Sequence, residues 1–328
     1  MVVLDKPFIN LDKQLEKLES RGLIIPDRNF AKKQLLKTTY YDLINGYKDM
    51  FLIQGDDEDD KYIEGTTFEQ IYELFHVDRE LRNCTLHLLL DIETRFYSSL
   101  SYSIAEIYGE QESCYLNKDN FKMGQIQRHN NRYERDNLFS KIDKKTKKPK
   151  VQPLIYYKKK YGNIPPWILV KDLTFGELVM LYKLSKSNVK TNTIRHIMNE
   201  DDINDETKEF FLASMKLFNQ YRNWAAHGGR IYNYSPRVSL PYNSQHFEVL
   251  NINRAKYNQG QGQSDFSALV IGALFFLSDP RDLFEFIIKI NNKLNDYQQK
   301  QPIQHEKILK ELRLPSNFYQ AIMGKFGL

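Results

Sequence analysis

Cysteine is nearly absent: Cys84 and Cys114 are the only two in 328 residues. They are too few for a disulfide framework and too far apart for a metal knuckle, and they suit a reducing cytosol. No cluster of His, Asp, Glu and Cys has metal-ligand spacing, so no metal or other cofactor is expected. Long apolar runs are missing too. The longest, residues 268–277, has about half of the ~20 residues that a bilayer span requires, which predicts a buried helix and no membrane partner. The opening MVVLDKPFIN shows no basic stretch leading into an apolar one, so no secretion signal is expected and the cytoplasm is the expected location. Charge of one sign does not dominate, since the net charge is only +5. That is a mild pull toward polyanions, and where the cations sit matters more. Alternating strand patterns are scarce. The one weak case is RVSLPYNSQHFEVLNI, residues 237–252, which fits a small β-hairpin excursion.

What the chain does have is enough apolar content to bury a core: 41% hydrophobic against 27% charged residues. The length fits one large domain or two ordinary ones at about 150 residues each. LDKQLEKLES places Leu11, Leu15 and Leu18 on one helical face, and Arg-Gly followed by Pro26 ends that helix. A second helix is predicted from Phe30 to the Asn-Gly-Tyr at 45–47. The pair fits a groove-reading helix-turn-helix or a plain helical core. GDDEDD, residues 55–60, lacks the alternate ligand spacing of a calcium loop and reads as a solvated linker. Residues 1–65 then form an N-terminal helical region and 66–328 a helical domain. Within the latter, Leu74, Val77, Leu81, Cys84, Leu88, Ile92, Phe96 and Ser99 recur at three- and four-residue steps. They predict one long bundle helix over 67–108, with room for a single interruption. Partners come from the stretches after Thr174, Asp205, Ser264 and Pro280, which makes the fold class all-α.

Residues 141–162, KIDKKTKKPKVQPLIYYKKKYG, hold nine lysines against one acid. Lys144, Lys145, Lys147, Lys148, Lys150, Lys158, Lys159 and Lys160, with Tyr156 and Tyr157, fit a strip that follows a phosphate backbone while rings stack on bases. They equally fit a charged loop facing water.

A second cluster lies in NQYRNWAAHGGRIYN, residues 219–233. Arg222 and His227 are five positions apart, about 140° around a regular helix, so one helix does not turn both toward one small substrate. Gly228 and Gly229 mark a helix end, where His227 is free to swing toward a cleft with Arg230 close behind. The plain alternative is a helix terminus whose dipole favours cations, with Arg222 paired to Asp205 or Glu209. RNCTLH at 82–87 repeats the spacing with Arg82 and His87, but the helix continues past it.

YRNWAAHGGRIYN resembles the R-x4-6-H signature of HEPN domains as carried by the Abi-like (AbiD/AbiF) abortive-infection family. IPPWILVKDLTFGELVMLY resembles that family's Pro-Pro-x-Trp and Phe-Gly block. VDRELR with IETRFYSSLSYSIAEIYG resembles its first bundle helix, and LESRGLIIPD with YYDLINGY its N-terminal region. Together these blocks run from about Leu11 to Asn233. Lys171 stands where many members have an acid, and the tail reads HGGR rather than HHxR. No catalytic role carries over to Arg82, whose match is read as coincidence.

The resemblance implies a HEPN-like bundle acting as a metal-independent endoribonuclease in phage defence or a toxin–antitoxin system, as a homodimer with a composite site, held in check by a small noncoding RNA. RNA brings its own nucleophile in the 2′-OH. His227 is suited to moving protons, Arg222 to holding phosphoryl oxygens, and Asn223, on the same face as His227, to orienting the imidazole or the phosphate. Two other readings compete. One is an RNA-binding module that sequesters its partner without cleaving it, and the other is a DNA-binding repressor using the N-terminal helices.

Overall fold

The computed structural model describes residues 8–53, 60–276 and 280–326. The first seven residues, most of the acidic linker and Leu277 lie outside them. Asp60, the linker's last residue, is inside, and it pairs with Arg21 at 3.2 Å and with Lys48.

The chain is all-α. Helix α1 (Leu11–Ser20) starts on an Asn10 side-chain cap and buries Leu15 and Leu18. Helix α2 (Arg28–Thr38) starts on an Asp27 cap. It stops at Thr39, whose φ of +65° is a left-handed value that a β-branched residue seldom takes. The continuous second helix expected up to residue 47 is therefore broken. A wide π-type turn (Tyr41–Asn45) and a 3-10 turn (Lys48–Phe51) follow instead.

Helix α3 (Phe68–Tyr108) is continuous over 41 residues, about 60 Å at 1.5 Å per residue. A reciprocal Thr67/Gln70 capping box starts it, and Gly109 at φ +81° ends it. The expected stripe is its buried face, with Cys84 and Ser99 at the edge.

Next come the short α4 (Glu112–Tyr115) and a two-stranded hairpin, β1 (Ile126–Gln127) against β2 (Arg132–Tyr133), with Ile126 opposite Tyr133. The small hairpin thus exists, but not in residues 237–252. There, Asn243 and His246 form a capping box that opens α11 (Ser244–Leu250), burying His246, Val249 and Leu250 at helical steps.

The lysine-rich stretch is helical at both ends, in α5 (Glu134–Lys147) and α6 (Leu154–Tyr161), rather than a loop throughout. The one-turn α7 (Pro166–Leu169) leads into α8 (Phe175–Leu184), α9 (Ser187–Met198) and α10 (Asp205–Ala226). After α11 come α12 (Arg254–Asn258), the all-round apolar α13 (Phe266–Phe276), α14 (Pro280–Lys300), α15 (Pro302–Glu311) and α16 (Phe318–Lys325).

Helix α3 is the axis, packed by α9, α10, α14 and α7. It runs antiparallel to α10: Arg82 meets Gly228, Glu93 meets Arg222, and Phe96 meets Phe211. Phe96, Phe175, Tyr182, Phe211 and Phe276 form an aromatic centre with ring centroids 4.6–6.2 Å apart. One contiguous core takes in residues from Leu15 to Ile322, so the N-terminal helices share apolar packing with the bundle. Among the described residues no helix is long and apolar enough to cross a membrane.

Candidate active site

The site grows from the way α10 ends. His227 is its C-cap and donates its backbone N–H to the Asn223 and Ala225 carbonyls. Gly228 then takes φ +79°, and the chain doubles back.

Trp224 clamps the turn. Its Nε1 donates to the Arg230 carbonyl at 2.7 Å, and its ring stacks on Tyr234 with centroids 4.8 Å apart. Gly229 lies so close that an added Cβ would sit 2.3 Å from the Trp224 ring. The Gly-Gly after the histidine thus meets two separate demands, a left-handed backbone and a close approach.

Beyond Arg230 the chain is fastened to α3 by Asp78. This carboxylate is fully buried and accepts from Tyr47 Oη at 2.7 Å and from the Ile231 and Tyr232 amides at 2.8 Å each. Burial pushes its carboxyl pKa up, and these bonds together with Arg82 act against the rise. Tyr47 stacks on Tyr232, and Arg230 donates to the Gly46 carbonyl. N-terminal region, α3 and the loop after the motif are therefore locked at one point.

Arg222 turns to α3, where its Nε donates to Glu93 Oε2 at 3.2 Å. The plain alternative named Asp205 or Glu209, which lie more than three turns back on its own helix; α3 supplies the acid instead. Burial raises the Glu93 pKa, and Arg222 pulls it down. Only Nε is engaged, so both Nη groups are unbonded among the described residues. One turn along α3 from Glu93, Tyr97 receives Lys171: Nζ lies 2.8 Å from Oη and 4.2 Å over the ring. Lys171 is thus held by α3, on the residue one turn beyond the partner of Arg222. Asn223 is exposed and donates to Asn219 at 3.4 Å, and the His227 side chain is exposed at the helix end. Arg222 thus faces α3, while His227 stands at the exposed end of α10.

Arg82 and His87 do not form a second pair. His87 is open to solvent and pairs with Asp91 at 3.5 Å. Arg82, read from the sequence as coincidence, still reaches the site. It points at the Gly228 carbonyl (3.4 Å) and lies 3.8 Å from Asp78. Asp78, Glu93 and Trp224 are the further residues that build the site and that sequence reasoning missed. Trp224 offered a signal, five residues before a glycine in the motif, whereas the two acids pair across helices.

The lysine strip is only partly available. Lys145 is held by Glu177 (3.1 Å) and the Asp172 carbonyl, Lys147 by Asp143 (2.9 Å), and Lys158 by Glu112 (3.1 Å). Lys160 lies against Tyr156 and Tyr161, and Tyr157 packs on both of these rings. Lys144, Lys148, Lys150 and Lys159 are exposed and without a partner among the described residues. No group of three or more His, Cys, Asp or Glu among those residues is arranged to hold a metal ion.

Fold and site define an all-α bundle protein with an arginine and a histidine at the C-terminal end of α10, a helix packed along the central α3. The chain belongs to the family of Abi-like proteins, whose family model matches residues 33–233. That match runs from within α2 to just past the loop docked on Asp78 and so spans the site. The family points to abortive infection, a form of phage defence. No curated protein and no solved structure matches the chain.

Proposed function

We propose that the protein is an endoribonuclease of phage defence that uses the RNA 2′-OH as nucleophile and needs no metal ion. The observation that carries this reading is Arg222, oriented through Nε by Glu93 with both Nη groups free, on the helix that ends in the exposed His227. The 2′-oxygen attacks the adjacent phosphorus and the bond to the 5′-oxygen breaks. One proton leaves the 2′-OH and one arrives at the departing 5′-oxygen. His227 handles proton transfer, and the free Nη donors of Arg222 meet the non-bridging oxygens, where negative charge gathers. Asn223 positions the imidazole or the phosphate. DNA, without the 2′-OH, stays intact.

Two proton transfers and a 140° offset favour a homodimer, in which a second copy lends its own Arg222 and His227 to a shared cleft. Lys144, Lys148, Lys150 and Lys159 give a regulatory noncoding RNA a surface to hold in the cytosol. The same free lysines favour a second reading, an RNA-sequestering module without cleavage.

Incubation with RNA in EDTA separates the two. The nuclease leaves 2′,3′-cyclic phosphate and 5′-OH ends, which His227→Ala and Arg222→Ala abolish. Tight binding with uncut RNA would replace the first reading by the second.

A further inference from the structure

A cleft of about 460 Å³ opens beside Gly228 and Gly229, between the turn after α2 and the end of α10. Its size falls within the roughly 300–1,000 Å³ of small-ligand sites. Lys37, Arg82 and Arg230 bring three cations to its lining. Asp42 is the acid there, and its carboxylate already accepts from the Thr39 hydroxyl at 2.9 Å.

Arg82 is the unusual member. Its side chain is only 15% exposed, yet its contacts are long, 3.4 Å to the Gly228 carbonyl and 3.8 Å to Asp78. Asp78 is satisfied by three shorter bonds from Tyr47, Ile231 and Tyr232. A guanidinium taken largely out of water with most of its donors unused attracts an anion, and a planar phosphate edge suits its fork. Tyr41, at the rim, is 74% exposed and has no ring partner among the described residues. Such a ring offers a face to a nucleobase.

We propose that this cleft binds one nucleotide of a single-stranded RNA, next to the linkage presented to His227. The phosphate sits on Arg82 and Lys37, and the base stacks on Tyr41. The assignment to RNA rests on the nuclease reading, but its test does not need cleavage.

The probe is a short 2′-O-methyl RNA strand, which lacks the attacking hydroxyl, bound to the full chain and followed by fluorescence anisotropy. Tyr41→Ala and Arg82→Gln each raise Kd about tenfold, within what the loss of one base–aromatic stack or one charged bond produces. Lys37→Glu, a surface change, weakens binding and lowers its salt dependence. Melting temperatures accompany every variant, and Tyr41→Ala and Lys37→Glu carry the test should Arg82→Gln unfold. Wild-type affinity in those two surface variants overturns the proposal. A free nucleoside monophosphate that binds as tightly as the strand overturns the RNA assignment in favour of a diffusible nucleotide. Failure of the nuclease reading leaves ordinary RNA uncut with this binding pattern intact. Failure of the cleft leaves binding unchanged in the variants, whatever the cleavage result.

Discussion

Because Glu93 holds only the Nε of Arg222, at 3.2 Å, it fixes where the two Nη groups point while lowering the local positive charge. These two effects separate in Glu93→Gln. Loss of the charge leaves RNA affinity unchanged or tighter, and the weaker hold on the guanidinium lowers the cleavage rate by about ten- to a hundredfold, the size expected of a misplaced group. Single-turnover rates beside the affinity for 2′-O-methyl RNA read the two separately. A variant that loses affinity but keeps its rate would remove Glu93 from the positioning role. Gly229 is the other sensitive position. A methyl there meets the Trp224 ring at 2.3 Å, so Gly229→Ala costs about 1–3 kcal/mol in a urea titration, the usual range for overpacking. It also loosens the turn that holds His227, so cleavage falls with it. An unchanged urea midpoint would mean that Trp224 is not the clamp described above.

At the scale of elements, α13 carries its own pH dependence. Asp265 starts this helix: Oδ1 accepts from the Ala268 amide and Oδ2 from Gly262, each at 2.8 Å. Burial pushes its pKa up to about 6 from the ordinary 3.8, with those amides and Arg313 opposing. A carboxyl that holds its proton more tightly folded than unfolded stabilises the fold while protonated. That contribution is full below about pH 4 and lost as the pH rises through about 6. Asp265→Asn removes the titration. The wild type's stability relative to this variant therefore falls by about 1–3 kcal/mol between pH 4 and pH 7, read from urea midpoints. A difference that is flat with pH would show that Asp265 titrates normally.

The elements also show how far the sequence could be read. The α3 stripe and the glycines after His227 were legible because periodicity and end signals are local. The break at Thr39 was not, since nothing about a threonine announces φ +65°. The hairpin was misplaced because Phe247 and Val249 alternate like strand residues in the sequence, whereas the segment opens on the Asn243–His246 capping box and buries His246, Val249 and Leu250 at helical steps while Phe247 is exposed. Arg82 was set aside for a different reason. Its partner by spacing, His87, pairs with Asp91 instead, and the antiparallel packing of α3 on α10 brings Arg82 to Gly228. Glu93 and Asp78 belong to that same cross-helix information, which no one-helix pattern contains.

On the proposed nuclease reading, a reaction with two proton transfers falls to a chain that carries one His227 and one Arg222, five residues apart and so about 140° apart around a regular helix. A two-fold pair of chains meets this requirement without bending the helix, because each copy's histidine is able to work beside the other's arginine. The consequence is complementation between inactive proteins. Arg222→Ala and His227→Ala are each silent alone. Co-refolded or exchanged at equal amounts, half of the dimers are mixed and each retains one arginine and one histidine. Cleavage then returns to roughly a quarter of the wild-type rate if one such set suffices. Light scattering on the same samples reports whether the particle has twice the chain mass. Dimers that exchange subunits yet stay silent would overturn a site in which one copy's arginine and the other's histidine suffice, and a monomer that cleaves at the full wild-type rate would remove the second copy from the chemistry altogether.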